Sequence, residues 1–380
     1  MHRTKIRASP SLCKERMNNK RLLKELYIAI EERIETVRHS SCCDTFKIFP
    51  FALYDEKNVC MRDVDNSLNI FDKTPYETIF CANTAVEWKG GYTAIWCISG
   101  AIDEDVLASK LLHEMYHAHQ HAVGDERFAD EFNAVFEYRC TPELLTLKLR
   151  ENSLLAELTD NVCISKLNEL AALRARRKAL FPYEYSYESK VETIEGSAQY
   201  IELEALKLLN ESKYSAAIRR IKHRIMQLQS LLPARIGCYD TGALLLITMR
   251  GAGFDMNTVM AKTHLTISDI FIGKSHASCA YSSTFVPDAG ICEYIDNDRR
   301  ALVSLVEKAL SSPAVVSGHG LKLLGFNVYN ARSIAIGTDM YLYTQCFLMY
   351  SDKGVERILS GDHIVRIGED RSNITEVFAI

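Results

Sequence analysis

The stretch Leu111-Leu112-His113-Glu114-Met115-Tyr116-His117 constrains this chain more than any other. It reads His-Glu-x-x-His. On a helix each residue advances about 100°, so histidines four apart sit roughly 40° apart on one face, about one turn along the axis. From there two imidazole nitrogens reach one tetrahedral zinc. Glu114 projects beside them, placed to take a proton from a water that the metal activates. A pattern with three fixed positions also arises in ordinary surface helices, so the reading rests on what the rest of the chain adds.

A length of 380 residues suits two or three domains. The net charge is −4, and Lys and Arg are spread along the chain, so no nucleic-acid surface is expected. The one dense basic run (Arg174, Arg176, Arg177, Lys178) reads as a solvated helix face. The basic N-terminus is followed by no apolar core, which argues against a secretory signal, and no apolar run approaches membrane-spanning length. Twelve cysteines occur without a Cys-x-x-Cys pair, and a bridge between the adjacent Cys42 and Cys43 is strained. Most therefore read as reduced, small hydrophobes of a cytoplasmic protein.

The pattern of elements is that of an α+β protein, mostly helical. Residues 1–43 form a tail and an amphipathic helix, with Leu22, Leu23, Leu26, Ile30 and Ile34 mostly on one side. Residues 44–125 hold a mixed sheet and the His-Glu-x-x-His helix, which is predicted to start near Asp103, capped by Asp103, Glu104 and Asp105, and to end by Gly124. The run Tyr92–Ile98 leads into that helix and is read either as the sheet edge that receives an extended peptide or as a plain core strand. Residues 126–273 are helical, with Thr141-Pro142 as an N-cap and first turn and Phe181-Pro182 as a stop. Residues 274–380 form a β-rich C-terminal region after one more helix, Asp298 to Leu310.

Two histidines on zinc need a third protein ligand and an open position for water. His121 continues the helical row but lies about 12 Å along the axis from His113, and His119 points to the opposite side. Glu137 and Glu195 remain. Glu195 is preferred, because Gly196 and Ala198 let its helix pack closely against another and hold the carboxylate near the metal.

His113-Glu-x-x-His117 followed by Glu195-Gly196-x-Ala198-x-Tyr200 resembles the gluzincin zinc metallopeptidases, and is most similar to gluzincin aminopeptidases at Glu195-Gly196-x-Ala198. Tyr239-Asp-Thr-Gly242-Ala243 resembles the Tyr-x-x-Gly-Ala segment of that family, whose tyrosine hydroxyl faces the scissile carbonyl. The resemblance spans residues from about 92 to 250. It implies a zincin-like (gluzincin) catalytic domain, a zinc ion held by His113, His117 and Glu195, catalytic roles for Glu114 and Tyr239, and a peptide or protein substrate. Should Tyr239 not serve, His223, His264, Tyr183, Tyr185 and Tyr187 stand next.

There are departures. Seventy-seven residues separate His117 from Glu195, far more than in those aminopeptidases, which is read as an inserted helical hairpin at 126–185. Glu137, nineteen residues after His117, keeps the thermolysin-like spacing and stays an alternative ligand. Gln199 stands where thermolysin-like enzymes carry an Asp that orients a ligand histidine. The Gly-x-Met-Glu-Asn segment that holds a free amino terminus is absent, which removes the ground for an aminopeptidase. Two other readings stay open: a peptidase fold kept as a binding or regulatory module, and an amidase or other hydrolase on the same metal.

Overall fold

The structure, a computed structural model, describes residues 10–38, 40, 46–261, 264–274 and 286–380. In chain order it runs α1 (Pro10–Arg38), β1 (Phe51–Tyr54), β2 (Asn58–Arg62), β3 (Leu68–Asp72), β4 (Thr84–Trp88), β5 (Gly91–Cys97), α2 (Glu104–Ala122), α3 (Glu131–Glu137), α4 (Pro142–Asp160), α5 (Ile164–Leu180), α6 (Pro182–Leu209), α7 (Glu211–Ile225), α8 (Ala234–Gly251), α9 (Met256–Met260), α10 (Ile267–Lys274) and α11 (Ala289–Leu310). Seven strands follow: β6 (Val316–Phe326), β7 (Arg332–Ile336), β8 (Asp339–Thr344), β9 (Phe347–Asp352), β10 (Val355–Ser360), β11 (His363–Ile367) and β12 (Asn373–Ala379). The fold is mixed α+β. Among the described residues no helix is long and apolar enough to cross a membrane. Cys60, Cys81, Cys97, Cys140, Cys163, Cys238, Cys292 and Cys346 are free; Cys42 and Cys43 lie outside the described residues.

Two compact units form, each discontinuous in sequence: Met1–Arg127 with Ile194–Ile221 and Met249–Thr266, and Phe128–Thr193 with Lys222–Thr248 and Ile267–Ile380. The first is built on a five-stranded sheet in the order β3-β2-β1-β5-β4. β1 and β5 run parallel, with Phe51 opposite Ala94, and the other neighbours are antiparallel. Of the two readings of Tyr92–Ile98 the sheet edge is overturned and the core strand holds, because β5 lies inside the sheet between β1 and β4, and β4 is the outer strand. Thr93, Ala94 and Ile95 are buried, as suits a strand covered on both faces. The turn joining β4 to β5 has Lys89 at φ 51° and Gly90 at φ 80°, the left-handed pair that a tight two-residue hairpin requires.

Helix α2 packs across β4 and β5. Its buried apolar positions Leu107, Ala108, Leu111, Leu112, Met115 and Ala118 recur at helical spacing. Asp103 caps it, accepting from the backbone N–H of Asp105 and Val106, and Lys213 Nζ bonds to both Asp103 and Asp105 at 2.6–2.7 Å. Helix α1 covers α2 and the first strands, with Tyr27 stacked on Phe51 at 4.2 Å between centroids.

In the second unit α4 packs on α5, with Thr141 capping α4 through the Leu144 N–H. The basic run is not a solvated face. Arg174 and Arg177 on α5 are each 1 % exposed, held by Glu151 of α4 and Glu188 and Glu192 of α6, with Lys148 joining at Glu188. Three cations face three carboxylates, so the burial carries no net charge. Lys178 remains exposed and pairs with Asp269.

The C-terminal sheet of this unit is antiparallel throughout, in the order β10-β9-β6-β12-β11-β8-β7. One face packs Ile334, Tyr341, Ile364 and Phe378 against Leu302, Val306 and Ala309 of α11. The other gathers Leu342, Leu348, Val365 and Val377 with Phe132 and Phe136 of α3. Between β8 and β9 the chain turns at Cys346, whose φ is 67°.

Candidate metal centre

His113 and His117 leave the middle of α2 on the face away from its apolar row, with side chains 12 % and 13 % exposed. Glu195, 12 % exposed, comes from α6. Gly196, Ser197 and Ala198 beside it are all buried, as close approach of this helix demands. His117 Nε2 stands 3.1 Å from Glu195 Oε2 and 3.2 Å from His113 Nε2, and His113 Nε2 stands 3.9 Å from the same carboxylate oxygen. One donor atom from each of the three residues lies within 4.8 Å of the others. Among the described residues this is the grouping of His, Cys, Asp and Glu that can hold a metal ion.

Each imidazole is held from behind. His113 Nδ1 faces Glu202 Oε2 at 3.3 Å, and Glu202 in turn faces Lys110 Nζ at 3.6 Å. His117 Nδ1 faces Gln120 Oε1 at 2.7 Å. A neutral imidazole whose Nδ1 carries the proton presents a lone pair at Nε2. Two such lone pairs and a carboxylate oxygen then converge on one point, an arrangement that positive charge, a proton or a metal ion, stabilises. The residues therefore fit a divalent metal, and two imidazoles with one carboxylate is a donor set that zinc accepts while leaving a fourth position open.

The same crowding acts on protons. Burial works against a charged His117, yet the Glu195 carboxylate beside it prevails, with help from Glu114 and Gln120, and raises the imidazole to about 9. Burial likewise opposes ionisation of Glu202, but His113 and Lys110 hold its carboxyl below the usual range. Glu114, one residue after His113, is 9 % exposed.

The remaining candidates have other partners. Glu137 is outside this cluster and forms an ion pair with Arg371, both side chains more than 40 % exposed. His121 stacks on Tyr92 and His119 borders Phe46 and Tyr116, with both imidazoles lowered mainly by burial. His264 is exposed beside Glu126. Tyr239 belongs to the second unit, on α8, where its hydroxyl accepts from Arg235 Nη2 at 3.1 Å and its ring meets Tyr329 edge-on. Arg235 is paired with Glu131, which also accepts from the Tyr187 hydroxyl. Tyr185 donates to Asp269.

Two residues the motif did not single out are Glu202 and Gln120. The signal for Glu202 was its spacing, seven residues after Glu195 and so two turns along the same face. Gln120 is three residues after His117, again on one face. Compared with known protein families, with curated proteins and with solved structures, the chain matches none.

Proposed function

We propose that the chain is a zinc-dependent metallopeptidase of gluzincin type, with a zincin-like catalytic domain. The observation that carries this is the convergence of His113 Nε2, His117 Nε2 and a Glu195 oxygen within 4.8 Å, with Glu114 adjacent on the same helix. Fold supports it as well: a mixed sheet with an outer antiparallel strand, β4, lies against the helix that carries the histidines.

In this reading His113, His117 and Glu195 hold the ion. When bound, it supplies a Lewis acid that acidifies water and polarises a carbonyl. The chain's own groups do the rest. Glu202 and Gln120 keep the two imidazoles oriented. The Glu114 carboxylate takes the proton from the attacking water and passes it to the leaving amine. An extended peptide adds to the outer edge of β4 by backbone hydrogen bonds. The resemblance assigns Tyr239 a hydrogen bond from its hydroxyl to the developing oxyanion.

The test is metal analysis of the purified protein together with a mass-spectrometric profile of cleavage in a peptide library, with small amides run beside it. About one zinc per chain and internal peptide cleavage are expected. Zinc without any cleavage favours a binding module, amide turnover alone favours an amidase, and no metal at all removes the reading.

A further inference from the structure

We propose that Gln120 is a positioning residue that fixes the tautomer of His117 and, with the same side chain, the register of the two helices that carry the ligands. The inference rests on the metal centre proposed above and adds the group that prepares it.

Gln120 is 1 % exposed. Its Nε2 donates to the backbone carbonyl of Ile194 at 3.0 Å. A carbonyl oxygen can only accept, so the amide has one permitted orientation. The flipped amide sets two oxygens against each other in a buried place. With Nε2 committed to Ile194, the group facing His117 Nδ1 at 2.7 Å is Oε1, which also can only accept. In the neutral imidazole His117 Nδ1 must then carry the hydrogen, which leaves the lone pair on Nε2. That is the atom 3.1 Å from Glu195 and 3.2 Å from His113.

Ile194 is the residue immediately before Glu195. One amide thus ties α2 to α6 at the ligand itself. A shift of either helix along its axis breaks the bond to Ile194 and frees the amide to flip, which reverses the group offered to His117. One side chain thus serves both, with Oε1 orienting the ligand and Nε2 holding the helix register. A partner on a ligand histidine typically matters ten- to a hundred-fold in metal affinity.

The alternative is that Gln120 only fastens one helix to another. Two variants separate these. Gln120→Met removes both hydrogen bonds at similar volume. Gln120→Glu keeps an acceptor toward His117 Nδ1 and loses the donor toward Ile194. The readouts are zinc affinity by competition with a chromophoric chelator, the visible spectrum of the cobalt(II)-loaded protein, and the melting temperature of the metal-free protein. We expect both variants to melt lower than wild type. Gln120→Met should bind zinc about ten- to a hundred-fold more weakly with a changed cobalt spectrum, whereas Gln120→Glu should stay within a few-fold of wild type. If Gln120→Met does not fold, Gln120→Asn, too short to reach both partners, takes its place with the same expected loss. A folded Met or Asn variant with wild-type zinc affinity overturns the inference and leaves the metal centre standing, as does a Glu variant that loses as much as Met. A wild-type protein that binds no divalent cation overturns both.

Discussion

Replacing Glu192 by Gln tests whether the buried ionic cluster of the second unit holds by charge balance. Glu192 is 2 % exposed and accepts from Arg174 Nη1 at 2.7 Å, Arg174 Nη2 at 3.0 Å, Thr241 Oγ1 at 2.7 Å and Ser268 Oγ at 2.9 Å. The amide keeps the shape, but it turns a donor toward groups that themselves donate and leaves three buried cations facing two carboxylates. Breaking a buried pair from one side costs about 3–5 kcal/mol. In a unit of about two hundred residues each kcal/mol moves the melting temperature by about 2–4 °C, so a fall of about 6–20 °C is expected. Glu157→Gln is the control: it makes the same charge change at the exposed pair with Lys166, where solvent screens the interaction and the cost is small. Acid adds a second check. Burial disfavours the ionised Glu192, but Arg174 and its neighbours prevail and hold its carboxyl at about 2, below the value of about 4.3 in an unfolded chain. A depressed carboxyl stabilises above its unfolded value, and that contribution is lost as pH falls toward the folded one. The gap between wild type and Glu192→Gln, followed by calorimetry, should be constant from pH 7 to about 5 and narrow between about 4.3 and 2. A gap no larger than that of the Glu157 control, or one that ignores acid, would refute the charge-balance argument.

Three further outcomes bear on the metal centre. Glu114→Gln should keep zinc and lose about two to four orders of magnitude in turnover, measured on any peptide the wild type cleaves, because an amide accepts no proton; near-normal turnover removes Glu114 as the base. Glu195→Ala should strip zinc that Glu137→Ala retains, by metal analysis after dialysis, and the reverse ranking would make the shorter spacing the functional one. Tyr239→Phe should lower kcat about a hundred-fold or more with zinc content unchanged, whereas a role confined to its bond with Arg235 predicts about 1 kcal/mol of stability and an unaltered kcat.

Much of the local structure was legible in the sequence, because it is decided by near neighbours. The ends of α2, the Asp103 cap and the Thr141-Pro142 start of α4 are short-range chemistry. The three candidate ligands that the motif and the Glu195-Gly196 segment set out do lie together. What was hidden depends on partners far along the chain. Charge density at Arg174–Lys178 says nothing of Glu151 or Glu192, which neutralise it from other helices. Alternation in Tyr92–Ile98 describes a strand but not its neighbours, so the sequence left open whether it is an edge or a core strand. β10 escaped notice because nearly all its residues are exposed. Gln120 and Glu202 look like ordinary polar helix residues until the two helices meet.

The outer strand β4 is also a ruler. It has five residues, Thr84–Trp88, and then turns sharply at Lys89-Gly90. At about 3.4 Å per residue that is about 17 Å of edge. In an antiparallel strand successive residues present their backbone groups to opposite sides, so only about half of these point outward. A peptide added there finds two or three residues' worth of main-chain partners and then runs past the end. On the proposed peptidase reading, substrate length beyond about five residues contributes no further backbone pairing through this strand. The same shortness blunts the edge against pairing with a second sheet, which a longer strand of this kind invites.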